Sequence, residues 1–323
     1  MRRIVLLALL VLLVLAGLWS LAWHVLAGRL ETAVAKAIAA PQGGVAIACG
    51  ERSIAGFPFR LSVHCDHAGL QDGARGLTAA VAGVRASLGV YDPRAVALAF
   101  SAPAEIKARG LAAPVALDWE EATGRVGLRG DEASLAASGV STGWKGMAVR
   151  IGALTARIAP ADALVPPDAS LTAHAASASV QAGGKEFPAL DIDLSARIGA
   201  APAALLSGGF DPRLEGLEIP DLRLALASPD LDAVVRGALQ VTAGGVANGK
   251  LTLSVAEVDK LPQAVASLPQ ELRGFANAVV AGLLAFGRAG ERDGKPVREV
   301  DLVVDQGKLS IAMFSAGRLP PLW

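Results

Sequence analysis

Two cysteines, Cys49 and Cys65, carry the chemistry that is easiest to read in this chain. An even pair forms and keeps a disulfide outside a reducing cytosol. The pair flanks Gly56-Phe57-Pro58-Phe59, where Gly and Pro mark a turn, and residues 45–49 and 60–65 read as strands on either side. In an antiparallel hairpin, paired positions have a constant sum. Positions 49 and 65 sum to 114, which centres the turn on Phe57 and sets the two sulfurs opposite each other. Two independently buried thiols are the alternative. The densest polar cluster, His64-Cys65-Asp66-His67, contains metal-ligating types. A strand sends His64 and Cys65 to opposite faces, however, and Asp66 is expected to face away from His64 as well. No metal site is therefore predicted.

The remaining polar residues do not assemble into a reaction. His24 falls at the end of an apolar run and His174 in an Ala/Ser-rich strand, while Tyr91 closes a strand at a turn. Glu120-Glu121 and Asp131-Glu132 lie in turns and read as solvated. The sequence has no Gly-rich phosphate loop, nucleophile elbow or zinc helix. The expectation is a protein that is not an enzyme, with no catalytic residue and no cofactor.

The elements that hold these residues begin with the N-terminus. Arg2 and Arg3 precede an apolar run over residues 4–25, and Trp19 and Trp23 fall near its far end. About 20 apolar residues span a bilayer core as a helix, and Trp prefers the headgroup zone. The run exceeds the apolar core of about 7–15 residues in a cleaved secretory signal. A signal anchor over 1–27 is expected, with Arg2 and Arg3 held inside. This makes a single-pass inner-membrane protein, with the bulk of the chain in the periplasm. Residues 28–44 read as a juxtamembrane helix and linker ending at Pro41-Gln42-Gly43-Gly44.

Residues 45–323 read as one β-rich domain. Leu190, Ile192, Leu194, Ala196 and Ile198 alternate with polar residues, the period of a half-buried strand. Similar runs occupy 79–91, 94–100, 115–119, 147–158, 169–181 and 233–242. Asn248-Gly249 and Gln306-Gly307 each precede a Lys and an alternating strand, which predicts two hairpin turns of one type. The expected fold is mainly β (α+β): an N-terminal transmembrane helix, then a long twisted antiparallel sheet or sandwich with one or two covering helices. The exception to period two is a helical insertion near 261–288. There Leu272, Phe275, Val279, Leu283 and Phe286 recur at helical spacing, with Pro269 placed at the start and Gly287 at the end. This face either caps the sheet or guards a lipid-binding groove.

The chain has 323 residues, 53% of them hydrophobic, so it is not a disordered segment. Its 30 basic residues are balanced by 30 acidic ones and aromatics make up only 4%, which argues against a nucleic-acid partner.

The stretch Ile54-Ala55-Gly56-Phe57-Pro58-Phe59-Arg60-Leu61, set between two cysteines and behind a short anchor, resembles an uncharacterised alphaproteobacterial family of membrane-anchored periplasmic proteins with a Gly-Phe-Pro-Phe-Arg motif. More distantly the chain is similar to AsmA-like envelope proteins, and to small mycobacterial lipid-binding proteins that share a Gly-Phe-Pro segment. That wider resemblance implies binding or movement of phospholipid or another envelope lipid along an apolar sheet. The expected function is thus lipid binding in envelope transport or maintenance. The alternative is a non-enzymatic structural or interaction module with a closed core.

Overall fold

The computed structural model describes residues 2–39, 45–73, 76–89, 91, 93–108, 113–144, 147–161, 168–182, 185–207, 210–266, 270–312 and 314–322. Strands make up 60% of it and helices 22%, so the fold is mainly antiparallel β, as the alternation predicts. The stretch expected to form one β-rich domain is divided between two compact units, Met1–Leu128 and Arg129–Trp323.

In the first unit, helix α1 (Arg2–Ala39) runs unbroken through the segment expected as an anchor and into the one expected as a juxtamembrane helix; the expected linker at 41–44 lies outside the described residues. Its 38 residues, at about 1.5 Å each, make a rod of about 57 Å. The segment Leu10–Lys36 is long and apolar enough to cross a membrane, either as a single-pass anchor or as a signal sequence. A meander follows. Strands β1 (Val45–Cys49) and β2 (Arg52–Ala55) lie end to end along one side of β3 (Arg60–Asp72). On its other side β3 pairs with β4 (Leu77–Gly89), and β4 with β5 (Ala95–Lys107). Strand β5 then takes β6 (Val115–Asp118) and β7 (Glu121–Gly127), again end to end.

The second unit is a longer meander. Strands β8 (Ala133–Trp144), β9 (Met147–Pro160) and β10 (Ala169–Ala182) pair in succession, and β10 also takes the two-residue β11 (Lys185–Glu186). Pairing continues through β12 (Leu190–Ile198), β13 (Leu217–Ser228), β14 (Leu231–Val241) and β15 (Ala247–Ala256). Two short helices, α2 (Pro202–Ser207) and α3 (Pro212–Glu215), connect β12 to β13. After β15 the chain forms a 3-10 turn, Val258–Lys260, then α4 (Leu261–Ala266) and α5 (Gln270–Phe286). It returns as β16 (Arg288–Arg292) and β17 (Lys295–Asp305). Strand β17 pairs with β15 on one side; on the other it carries β16 and β18 (Lys308–Ile311) end to end. Strand β19 (Phe314–Arg318) completes the unit beside β18.

The core lies where the helices cover this sheet. Along β17, Val300, Leu302 and Val304 are buried while Asp301, Val303 and Asp305 are exposed, so the two-residue period has one wet and one dry face. Val255, Leu309, Ile311 and Leu253 join them, closed over by Leu261 of α4 and Leu283 of α5. A smaller cluster of Ala169, Ile198 and Ala200 gathers Leu205 of α2 and Phe210.

One predicted turn is overturned. Asn248 and Gly249 lie inside β15, and the chain reverses earlier, where Gly245 N–H donates to Thr242 O. Gly249 answers a different demand. A Cβ there would sit 2.2 Å from Ala238 O, and one on Gly237 of β14 would sit 2.2 Å from Lys250 O. The two backbones approach so closely that neither position tolerates a side chain. Gln306-Gly307 is a turn as expected, and Asn248 Oδ1 accepts the Gln306 N–H at 2.8 Å. The two similar segments are therefore neighbours with different jobs.

Candidate functional site

The most densely constructed feature of the first unit is the hairpin over residues 45–72. Cys49 and Cys65 form a disulfide with Cα atoms 5.4 Å apart. The register differs from the expected one: Cys49 lies opposite Ala68 and Arg52 opposite Cys65, so paired positions sum to 117. The sulfurs meet because both strands are kinked between the two pairs. His67 adopts a left-handed backbone (φ 59°), and Gly50 N–H reaches both Asp66 O and His67 O. A Cβ on Gly50 would lie 2.2 Å from Asp66 O, so only glycine permits this approach.

The hairpin tip leans on α1. Arg60 N–H donates to Gly56 O at 2.8 Å and closes the bend. Gly56 has φ 112°, and a Cβ there would lie 2.7 Å from Arg60 O. Trp19 Nε1–H donates to Pro58 O at 3.2 Å and Trp23 Nε1–H to Arg60 O at 3.1 Å. Being four residues apart, the two indoles share one face of the helix. The Trp23 ring meets Phe57 edge-on at 5.5 Å, and Phe59 lies 5.5 Å from Tyr91. Phe57 and Phe59 flank Pro58 at the bend. Each is 52% exposed, and Tyr91 is 80% exposed.

Below the tip, His64 Nε2 pairs with Asp66 Oδ1 at 2.7 Å, whereas the two had been expected to face apart. They stand two residues apart on β3, which puts them on one face. His64 Nδ1 is buried without a partner. Among the described residues no three His, Cys, Asp or Glu side chains converge on a point. His174 Nδ1 meets Asp193 Oδ1 at 2.7 Å on the neighbouring strand.

The sheet of the first unit presents apolar rows. Val63, Ala86 and Leu98 stand opposite one another on β3, β4 and β5, and the next row is Cys65, Val84 and Phe100. Directly opposed residues share a face. Val63, Val84, Leu98 and Phe100 are all only half-buried. Apart from α1, no helix is described in this unit.

In the second unit, α5 lies over the sheet. Leu283 is 1% exposed and Val279 packs against the same core, whereas Phe286 remains 43% exposed. The side chains of Leu272 and Phe275, like Pro269, lie outside the described residues. A buried ionic network escaped the sequence reading. Arg292 of β16 is 8% exposed and donates from Nη1 to Ser254 O and Oγ, and from Nη2 to Asp232 O and Oδ1. Arg292 looks like one more charged residue beside a turn, and only the fold brings it against β14 and β15. Close by, the exposed Glu257 carboxyl is held below its ordinary range by a hydrogen bond from Lys260 and by that residue's charge; the ammonium is raised in return.

The bacterial family described as "Uncharacterized protein conserved in bacteria (DUF2125)" matches residues 23–320. The chain belongs to that family. The match covers Trp23, the disulfide hairpin, the strands of both units and α5. No curated protein and no solved structure matches the chain.

Proposed function

We propose that this is a single-pass inner-membrane protein, exposed to the periplasm, that holds lipid acyl chains on the first unit's sheet in envelope lipid transport or maintenance. It acts as a binding protein, not an enzyme. The observation that carries this reading is the half-buried apolar rows around Val84, Leu98 and Phe100, in a unit whose one described helix is the apolar α1. An apolar sheet face needs a cover, and acyl chains supply one. The Cys49–Cys65 disulfide supports a location outside the reducing cytosol. Native mass spectrometry of the full-length protein, after exhaustive detergent exchange, tests it. Retained phospholipid that falls in Phe100→Gln is the expected result. Protein free of lipid refutes the reading.

The second unit favours a second reading. Its core is sealed by Leu261 and Leu283, with Ile311 only 1% exposed, as in a structural or interaction module with a closed interior. Lipid-free protein would leave that reading standing.

A further inference from the structure

The hairpin tip presents a combination that a water-facing turn does not need. Its rings, Phe57 and Phe59, are half exposed with Tyr91 beside them, yet the carbonyls of Pro58 and Arg60 are each taken by a tryptophan of α1. Gly56 O is taken by Arg60 N–H, and Pro58 has no N–H to satisfy. Exposed aromatic rings beside three paired carbonyls suit a setting short of water, where an unpaired carbonyl is costly.

The helix indicates which setting that is. A bilayer core of about 30 Å takes about 20 residues, so a core that starts at Ile4 ends near Trp23. Trp19 and Trp23 then lie at the boundary of the lipid, and the tip they hold lies at the same depth. We propose that residues 56–59, with Tyr91, form a second membrane-contacting element seated in the lipid interface beside α1. Phe57, Phe59 and Tyr91 extend the aromatic belt of the anchor, and the exposed Arg60 sits where lipid phosphates are. The hairpin thereby fixes the depth and tilt of the unit against the bilayer, a role separate from holding lipid on the sheet face. It rests on α1 remaining in the membrane.

The test uses full-length protein in phosphatidylcholine/phosphatidylglycerol vesicles, labelled with an environment-sensitive fluorophore at single introduced cysteines after the native disulfide is confirmed intact. The sites are Phe59→Cys, Leu13→Cys in the span, and Gln71→Cys toward the far end of β3. Spin-labelled lipid should quench the label at 59 several-fold more than at 71, with iodide showing the reverse order. Lipid quenching at 13 but not at 59 keeps the anchor and overturns the proposal. A label at 59 shielded from both quenchers means that a protein surface occupies the tip, and also overturns it. No lipid quenching at either 13 or 59 overturns the anchor together with the proposal.

Discussion

Gly282 decides how closely α5 can approach the sheet, and a double-mutant cycle measures that closeness. A Cβ at position 282 would lie 2.8 Å from Ile311 Cδ1, 2.9 Å from Cγ2 and 3.3 Å from Cβ. Ordinary carbon contacts are about 3.5–4.0 Å, so the helix or Ile311 must give by nearly 1 Å. Ile311 is 1% exposed and the adjacent Leu283 equally so, so neither side chain can swing out into solvent. Overpacking of this kind costs about 1–3 kcal/mol, whereas alanine in place of a helical glycine returns about 1 kcal/mol. Gly282→Ala alone is therefore neutral to about 2 kcal/mol destabilising. Ile311→Ala alone costs about 2–5 kcal/mol by leaving a cavity. In that background the two contacts below 3.0 Å are gone and only Cβ at 3.3 Å remains, so Gly282→Ala should stabilise by about 1 kcal/mol through helix propensity. The coupling between the two sites is thus about 1–3 kcal/mol in favour of the double variant. Urea unfolding of the four full-length proteins in detergent, followed by far-UV circular dichroism, reads it directly. Additivity within about 0.5 kcal/mol would refute the packing of α5 on β18.

Two further outcomes are expected. Replacing both Cys49 and Cys65 with Ser should lower stability by about 3 kcal/mol, the value for opening a loop of about 15 residues, and mass mapping that found two free thiols in native protein would contradict the disulfide. The depressed Glu257 pKa means that its pairing with Lys260 stabilises the fold above the ordinary carboxylate range and is lost as pH falls through the lowered value; carbon-detected NMR titration should place the Glu257 midpoint below 4.5, and Lys260→Ala should move it back up.

Much of the strand layout was legible in the alternation, because a half-buried sheet writes its period directly into the chain. Residues 190–198 alternate over the whole of β12 with the bounds observed, and Gly287 ends α5 where expected, its N–H donating to Leu283 O. The glycines inside strands were not legible. Asn-Gly at 248–249 has the composition of a turn, but its glycine serves a close approach to β14 that exists only once the two strands are paired. The hairpin register failed for a similar reason. Equal spacing about Phe57 assumes that the two cysteines are directly opposed, but Ala55 pairs with Ser62, so the bend is centred between Pro58 and Phe59, and the sulfurs meet only through the kink at Gly50 and His67. Phe57 and Phe59 were legible as a motif but not as an exposed one, since their neighbours Trp19 and Trp23 lie more than thirty residues away in the chain. Arg292 gave no signal, because its partners Asp232 and Ser254 are distant in sequence.

The paired short strands beside β3 and β17 have a consequence for how this chain survives its own synthesis. Strands of 13 residues, such as β3 and β4, are templates on which a second copy could pair at length. On one flank of β3, however, lie pieces of five and four residues, separated by the Gly50 kink; one flank of β17 is likewise divided between β16 and β18. A stray chain that docked against either flank would find a run of only a few hydrogen bonds before the ladder broke. Long strands inside and broken ones beside them keep a sheet-rich protein from zipping onto its neighbours.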